Sequence, residues 1–207
     1  WIRDQAFSGP YTPIKNVYYK NQAALYSDAN FWSTGLTANN VNLIRFADVL
    51  LWAAEVEVET GHLDQAEKYV NMIRNRVTYP GGWVHTYIDN NDPSKGFTNI
   101  PAANYFVKPY PAGYFAAQGQ NNARKAVRYE RMLELAMEGH RFFDLVRWGI
   151  ADTEINIYFL KEQTRRSYLN NAKFIKNKHE YFPIPQTEID KSAGPDGVPR
   201  LKQNPGY

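Results

Sequence analysis

The 207-residue chain carries 24 Lys and Arg against 21 Asp and Glu, for a net charge of +3, and 43% of its residues are hydrophobic, enough for a proper core in one large domain or a substantial part of a bigger one. It has no basic run, so nucleic acid and anionic membrane surfaces are not expected partners. It also has no cysteine, which excludes disulfides, thiolate metal sites and thiol nucleophiles.

The first residue is Trp1, and neither a charged-then-apolar leader nor a long apolar span follows it; the chain reads as a mature or excised segment. Residues 1–41 have weak periodicity and many turn formers, among them Ser8-Gly9-Pro10, Thr12-Pro13 and Asn39-Asn40, and form a loop-rich lead-in. Tyr18, Tyr19, Tyr26, Phe31 and Trp32 there either cover the core or line a surface groove.

Residues 42–77 are expected to form a helical hairpin. The first helix, over 42–60, places Leu43, Phe46, Ala47, Leu50, Ala54 and Val58 on its main face. Val49, Leu51, Trp52 and Ala53 make it apolar almost all round, so neighbours should pack on more than one side. Arg45, Asp48 and Glu55 then need partners within the packing, because an unpaired buried charge is costly. Gly61 breaks the pattern, and a second helix over 64–76 has Leu63, Ala66, Val70 and Ile73 as its apolar positions. Small residues at Ala53, Ala54 and Ala66, with a turn glycine, fit a tetratricopeptide unit. A single such unit must stack on further helices to bury its faces.

Residues 78–122 lose the helical period and read as a long aromatic-rich insertion, a length uncommon unless functional or disordered; so many rings argue against disorder. Planar rings beside Asn, Asp and Gln suit a neutral polyhydroxylated ligand, the ring covering the C–H face of a sugar and the polar groups taking its hydroxyls. On that chemistry Trp32, Trp83, Tyr87, Tyr105, Tyr110 and Tyr114 are the candidate ligand contacts. The competing reading is that the rings anchor the insertion to the helices. Asp89-Asn90-Asn91-Asp92 places oxygen ligands close together, but without the glycine and distal glutamate of a helix-loop-helix calcium loop an Asx turn is preferred.

Residues 123–149 are expected to be a helix pair. Tyr129, Met132, Leu133 and Ala136 mark one apolar side, Gly139 can end the helix in a left-handed cap, and Arg141 to Trp148 form a shorter helix closed by Gly149. Glu130, Glu134 and Glu138 form a ladder four residues apart. Glycosidase carboxylates face each other across a cleft at about 5 Å or more than 6 Å, so a ladder crowded by Arg128, Arg131 and Arg141 is read instead as an ion-pair lattice. Residues 150–207 contain a helix from Ala151 to about Tyr168 with Ile155, Tyr158 and Phe159 inward. The extended Phe182-Pro183-Ile184-Pro185, a helical turn over 186–190 and a tail ending in Asn204-Pro205-Gly206-Tyr207 follow, and this tail should wrap over the helices.

No Gly-x-Ser-x-Gly or His-Glu-x-x-His occurs, and His62, His85, His140 and His179 are scattered. No enzyme, cofactor or metal is therefore expected. A protein- or peptide-binding helical scaffold without sugar affinity stays open beside sugar capture.

Several stretches resemble the SusD/RagB family: Arg45-Phe46-Ala47-Asp48-Val49-Leu50-Leu51 with Ala54-Glu55; Asn71-Met72-Ile73-Arg74-Asn75-Arg76; Glu130-Arg131 with Glu134-Leu135 and Glu138-Gly139-His140-Arg141; Asp144-Leu145-Val146-Arg147-Trp148-Gly149; Phe182-Pro183-Ile184-Pro185; and Gln203-Asn204-Pro205-Gly206-Tyr207. The resemblance implies a mainly α fold of tetratricopeptide-like hairpins with long irregular loops, 1–207 being the C-terminal region of a protein about twice as long. It further implies a cell-surface lipoprotein of Bacteroidetes outer membranes that binds glycan and partners a TonB-dependent SusC-like transporter. The lipid anchor and the N-terminal half would lie upstream. Ligand residues vary with substrate in this family, so no binding residue is carried over by motif.

Overall fold

In the computed structural model, which describes residues 13–27 and 37–207, the chain is mainly helical and divides into two units, one ending at Met137 and the other beginning at Glu138. The first contains α1 (Ala23–Tyr26), α2 (Phe46–Glu59), α3 (Leu63–Val77), the strands β1 (His85–Tyr87) and β2 (Phe97–Pro101), α4 (Tyr114–Gln118) and α5 (Gln120–Glu134). The second contains α6 (His140–Arg147), α7 (Ala151–Glu162) and α8 (Gln186–Lys191).

Helices α2 and α3 form the expected hairpin about Gly61, whose φ of +85° is a left-handed geometry that glycine adopts without a Cβ penalty. Its seam is Leu51, Ala54 and Val58 against Ala66, Val70 and Ile73, closed by Phe115 of α4 and by Ala123 and Val127 of α5. Each fully buried Val, Leu or Phe contributes about 1.5–3 kcal/mol relative to an exposed one.

The sequence places the start and facing of α2 differently. The helix begins at Phe46; Leu43 is exposed outside it, and Phe46 is 70% exposed. The i+4 series from Phe46 through Leu50 suggests an inward Phe46. The stripe that packs is turned toward Ala47 and Leu51, and Val49, Trp52 and Val56 join Phe46 on an outer side.

Helix α5 departs further from expectation, because its apolar side faces out. Tyr129 is 57% exposed and Leu133 is exposed, while Glu130 and Arg131 are buried beside Ala123 and Val127. The inversion is possible because the buried charges find partners on the hairpin. Arg131 Nη1 meets Asp48 Oδ1 at 2.7 Å, Arg74 Nη1 donates to Glu130 at 2.8 Å, and Glu134 receives Arg45 at 2.7 Å and Arg76 at 2.6 Å. This is the ion-pair lattice, and it makes a polar seam the inner face of α5. The helix also starts at Gln120, three residues before the expected 123, its first turn hidden by the polar run Gln120-Asn121-Asn122. It ends at Glu134, so Gly139, at φ +82°, caps the start of α6 instead of the end of α5.

Burial raises the Glu130 carboxyl above its ordinary 4.5, with Arg74 pulling it down and neighbouring Glu134 adding to the rise. A raised native value means that the folded protein holds this proton more tightly than the unfolded chain, so the favourable contribution exists at low pH and is lost as pH climbs through the native value. The unfolding free energy of the wild type minus that of Glu130→Gln is expected to fall as pH rises from the ordinary 4.5 through the raised native value. Urea titrations across that range check it; a flat or rising difference contradicts the assignment.

The insertion is more regular than its sequence suggests. Strands β1 and β2 pair antiparallel with Tyr87 opposite Phe97, and Thr86 and Thr98 hydroxyls bond across them at 2.6 Å. Short strands flanked by Asx turns carry little period-two signal, which is why the hairpin escapes a pattern reading. Asp89 accepts from the Asn91 N–H and pairs with Lys95 at 2.7 Å, and Asp92 accepts from the Ser94 N–H. Those carboxylates are spent on turn geometry.

In the second unit, Leu145, Ala151 and Phe174 form a small core with Ile155 and Phe159 packed against it, whereas Tyr158, read as inward, is exposed. Helix α7 stops at Glu162, six residues before Tyr168. Asn156 holds Phe174 by a two-way amide fork, accepting its N–H at 2.8 Å and donating to its carbonyl at 3.0 Å. Gln203 grips Ile184 the same way at 2.8 Å and 2.8 Å, and the Tyr207 hydroxyl donates to the Tyr181 carbonyl. The tail thus docks on the extended 181–185 segment.

Candidate functional site

Helix α3 turns a polar stripe, Glu67, Asn71 and Arg74 at i, i+4 and i+7, toward the segment that carries Tyr110 and Tyr114. The buried Glu67 carboxylate accepts the N–H of Gly113 at 3.0 Å and of Phe115 at 2.8 Å, capping the five-residue α4 from a distance of 46 residues in sequence or more. Asn71 accepts the Tyr110 N–H at 2.8 Å and returns a bond to its carbonyl at 3.0 Å. Arg74 Nε donates to the Lys108 carbonyl at 2.6 Å, and its guanidinium lies 4.6 Å from the Tyr110 ring centre.

Between α3 and residues 109–113 lies an open groove of about 860 Å³. Asp64, Lys68, Asn71 and Asn75 line its helical wall, and Tyr110 lies in the facing wall. Asp64 and Lys68 offset each other, and both oxygens of Glu67 are engaged by main-chain N–H groups. The lining thus combines the Asn75 amide and the Tyr110 ring with the apolar Met72, Pro109 and Ala112, and its formal charge is one negative, from Glu67. Burial pushes the Tyr110 phenol up, against the pull of Arg74, so it remains a hydroxyl at physiological pH.

The candidate rings fall into three groups. Tyr110 stacks on Tyr114, centroids 5.3 Å apart and planes at 22°, and meets the edge of buried Phe115 at 5.1 Å. Trp83 stacks on Tyr105 at 5.1 Å; its indole N–H donates to the Val77 carbonyl at the end of α3, while the Tyr105 hydroxyl receives the Val84 N–H. Tyr87 stacks on Phe97 at 4.9 Å, and Tyr19 meets the Phe97 edge at 5.2 Å. Among the described residues no ring contact joins one group to another. Trp32 lies outside the described residues. Trp83 and Tyr105 are half-buried with their polar atoms engaged, which is the anchoring arrangement, whereas Tyr87 and Tyr114 are each 40% exposed.

The α3 contribution escapes the sequence reading. Asp64, Lys68, Asn71 and Asn75 recur at helical spacing, and that period is the signal that could have found them, but a polar helix face ordinarily reads as solvated surface. Among the described residues no group of three His, Asp or Glu converges to hold a metal ion.

A family model described as the SusD family matches residues 3–207. A SusD-like protein of Formosa agariphila is 28% identical over 153 residues, covering 73% of this chain and 22% of that protein. The crystal structure of a SusD homolog from Bacteroides thetaiotaomicron matches with a TM-score of 0.55 and 26% identity, over 89% of this chain and 30% of the other. The chain thus spans less than a third of either relative's length. With a family match running along almost all of it, and a helical fold shared with a solved homolog, the chain belongs to the SusD family.

Proposed function

We propose that this chain is part of a non-catalytic cell-surface protein that captures oligo- or polysaccharide for nutrient uptake and delivers it to a TonB-dependent SusC-like transporter of a Bacteroidetes outer membrane. The lipid anchor and further helices belong to the rest of the protein; the much greater length of both relatives supports that division. The observation that carries the glycan reading is the open groove between α3 and residues 109–113, with Asn71 and Asn75 on one wall and Tyr110 in the other, and with Tyr114 stacked on Tyr110 beside it. Uncharged hydroxyls suit such a lining, and a partly exposed Tyr114 offers a ring to a sugar's C–H face.

Calorimetric titration of a panel of neutral oligosaccharides, with chromatography of the mixtures afterwards, tests this. Reversible binding without product is the expected result, and turnover or silence across the panel contradicts it. Tyr114→Ala is expected to weaken the best ligand about fivefold to tenfold, the worth of one ring contact of about 1 kcal/mol, with unfolding nearly unchanged. An unaltered affinity removes Tyr114 from the site.

A second reading, a protein- or peptide-binding helical scaffold without sugar affinity, is favoured by the outer side of α2, where Phe46, Val49, Trp52 and Val56 are exposed. Silence across the panel together with a peptide bound at that face would select it.

A further inference from the structure

The bonds from α3 to the ring-bearing segment share one property: they end on main-chain atoms. Arg74 reaches the Lys108 carbonyl, Asn71 the Tyr110 N–H and carbonyl, and Glu67 the Gly113 and Phe115 N–H groups. Two side chains of the segment are committed inward, Tyr110 against Arg74 and Phe115 in the core. Those of Lys108, Pro109, Pro111, Ala112 and Tyr114 are exposed. Gly113 is fixed by its φ of +76°, with open space around the missing Cβ. A backbone gripped in this way keeps its course when outward side chains change, because a peptide N–H or carbonyl is the same for every residue except the N–H that proline lacks.

We propose that residues 108–115 form a specificity cassette held by its main chain, in which the side chains at 109 and 112, which line the groove, and those at 108, 111 and 114, exposed beside it, set which glycan is accepted, and Glu67, Asn71 and Arg74 are positioning residues. The choice of ligand class rests on the glycan reading; the main-chain grip does not.

Amide hydrogen exchange and the oligosaccharide panel, both on the same protein, test the two parts separately. In Asn71→Ala the Tyr110 amide, and in Glu67→Gln the Gly113 and Phe115 amides, are expected to exchange at least tenfold faster than in the wild type. If Asn71→Ala fails to fold, Glu67→Gln, which preserves volume, decides the point alone. The triple variant Lys108→Gln, Ala112→Gln, Tyr114→Trp is expected to keep those three amides within about twofold of wild-type exchange, while the relative affinities across the panel change at least fivefold. Loss of protection in the triple variant overturns the grip and leaves the glycan reading standing. Retained protection with unchanged relative affinities overturns the assignment of specificity. A wild type silent across the panel removes the glycan reading and the specificity assignment with it, and the exchange rates still decide the grip.

Discussion

Replacing Arg131 by Met is expected to cost about 3–5 kcal/mol of folding free energy, because it strands the Asp48 carboxylate in the interior. Both side chains are almost wholly buried at their 2.7 Å contact, and the second Asp48 oxygen already lacks a hydrogen-bond partner. With the guanidinium gone, nothing of opposite charge replaces it at the bonded oxygen, and desolvation of the anion is uncompensated. The companion variant Asp48→Leu with Arg131→Met is expected to recover most of the loss, since an apolar pair of similar bulk removes the stranded charge along with the ion pair. Urea unfolding of the three proteins measures both steps. A single variant within about 1 kcal/mol of wild type would show that the pair is solvated and the described burial wrong.

Phe115→Ala is expected to be comparably damaging, about 3–5 kcal/mol, for a different reason. Helix α4 has five residues, too few to persist on its own, and it exists because Phe115 fills the space between α3 and α5 while Glu67 caps its first turn. Truncating the ring leaves a cavity and releases the cap together. Denaturant midpoints for Phe115→Ala and Tyr114→Ala separate the roles of these adjacent rings. The first should fall steeply and the second hardly at all, and equal shifts would contradict the division into a buried plug and an outward ring.

How much of this was legible in the sequence depends on where each residue's partner lies. The α2–α3 hairpin was readable because Ala54, Gly61, Ala66, Val70 and Ile73 act within one local pattern. The facing of α5 was not, because what permits Glu130 and Arg131 to turn inward is supplied by Arg74 and Asp48, 56 and 83 residues away. The aromatic content of the insertion pointed to the right segment, yet ring type alone could not separate Trp83 and Tyr105, which brace the end of α3, from Tyr114, which is partly free. Helix α3 showed a family-like stretch, Asn71 to Arg76, but not its part in the groove, since its Glu, Asn and Arg bind peptide groups that every residue has.

The end of α5 carries a last consequence. The Glu134 carboxylate gathers Arg45 and Arg76, and the carbonyls of Glu134 and Ala136 receive Lys15. During synthesis these three cations emerge from the ribosome well before their common anchor. The α2–α3 hairpin can pack on itself as it is made, but the two arginines at its open end and the lysine of the lead-in gain these partners only once translation has passed the end of α5.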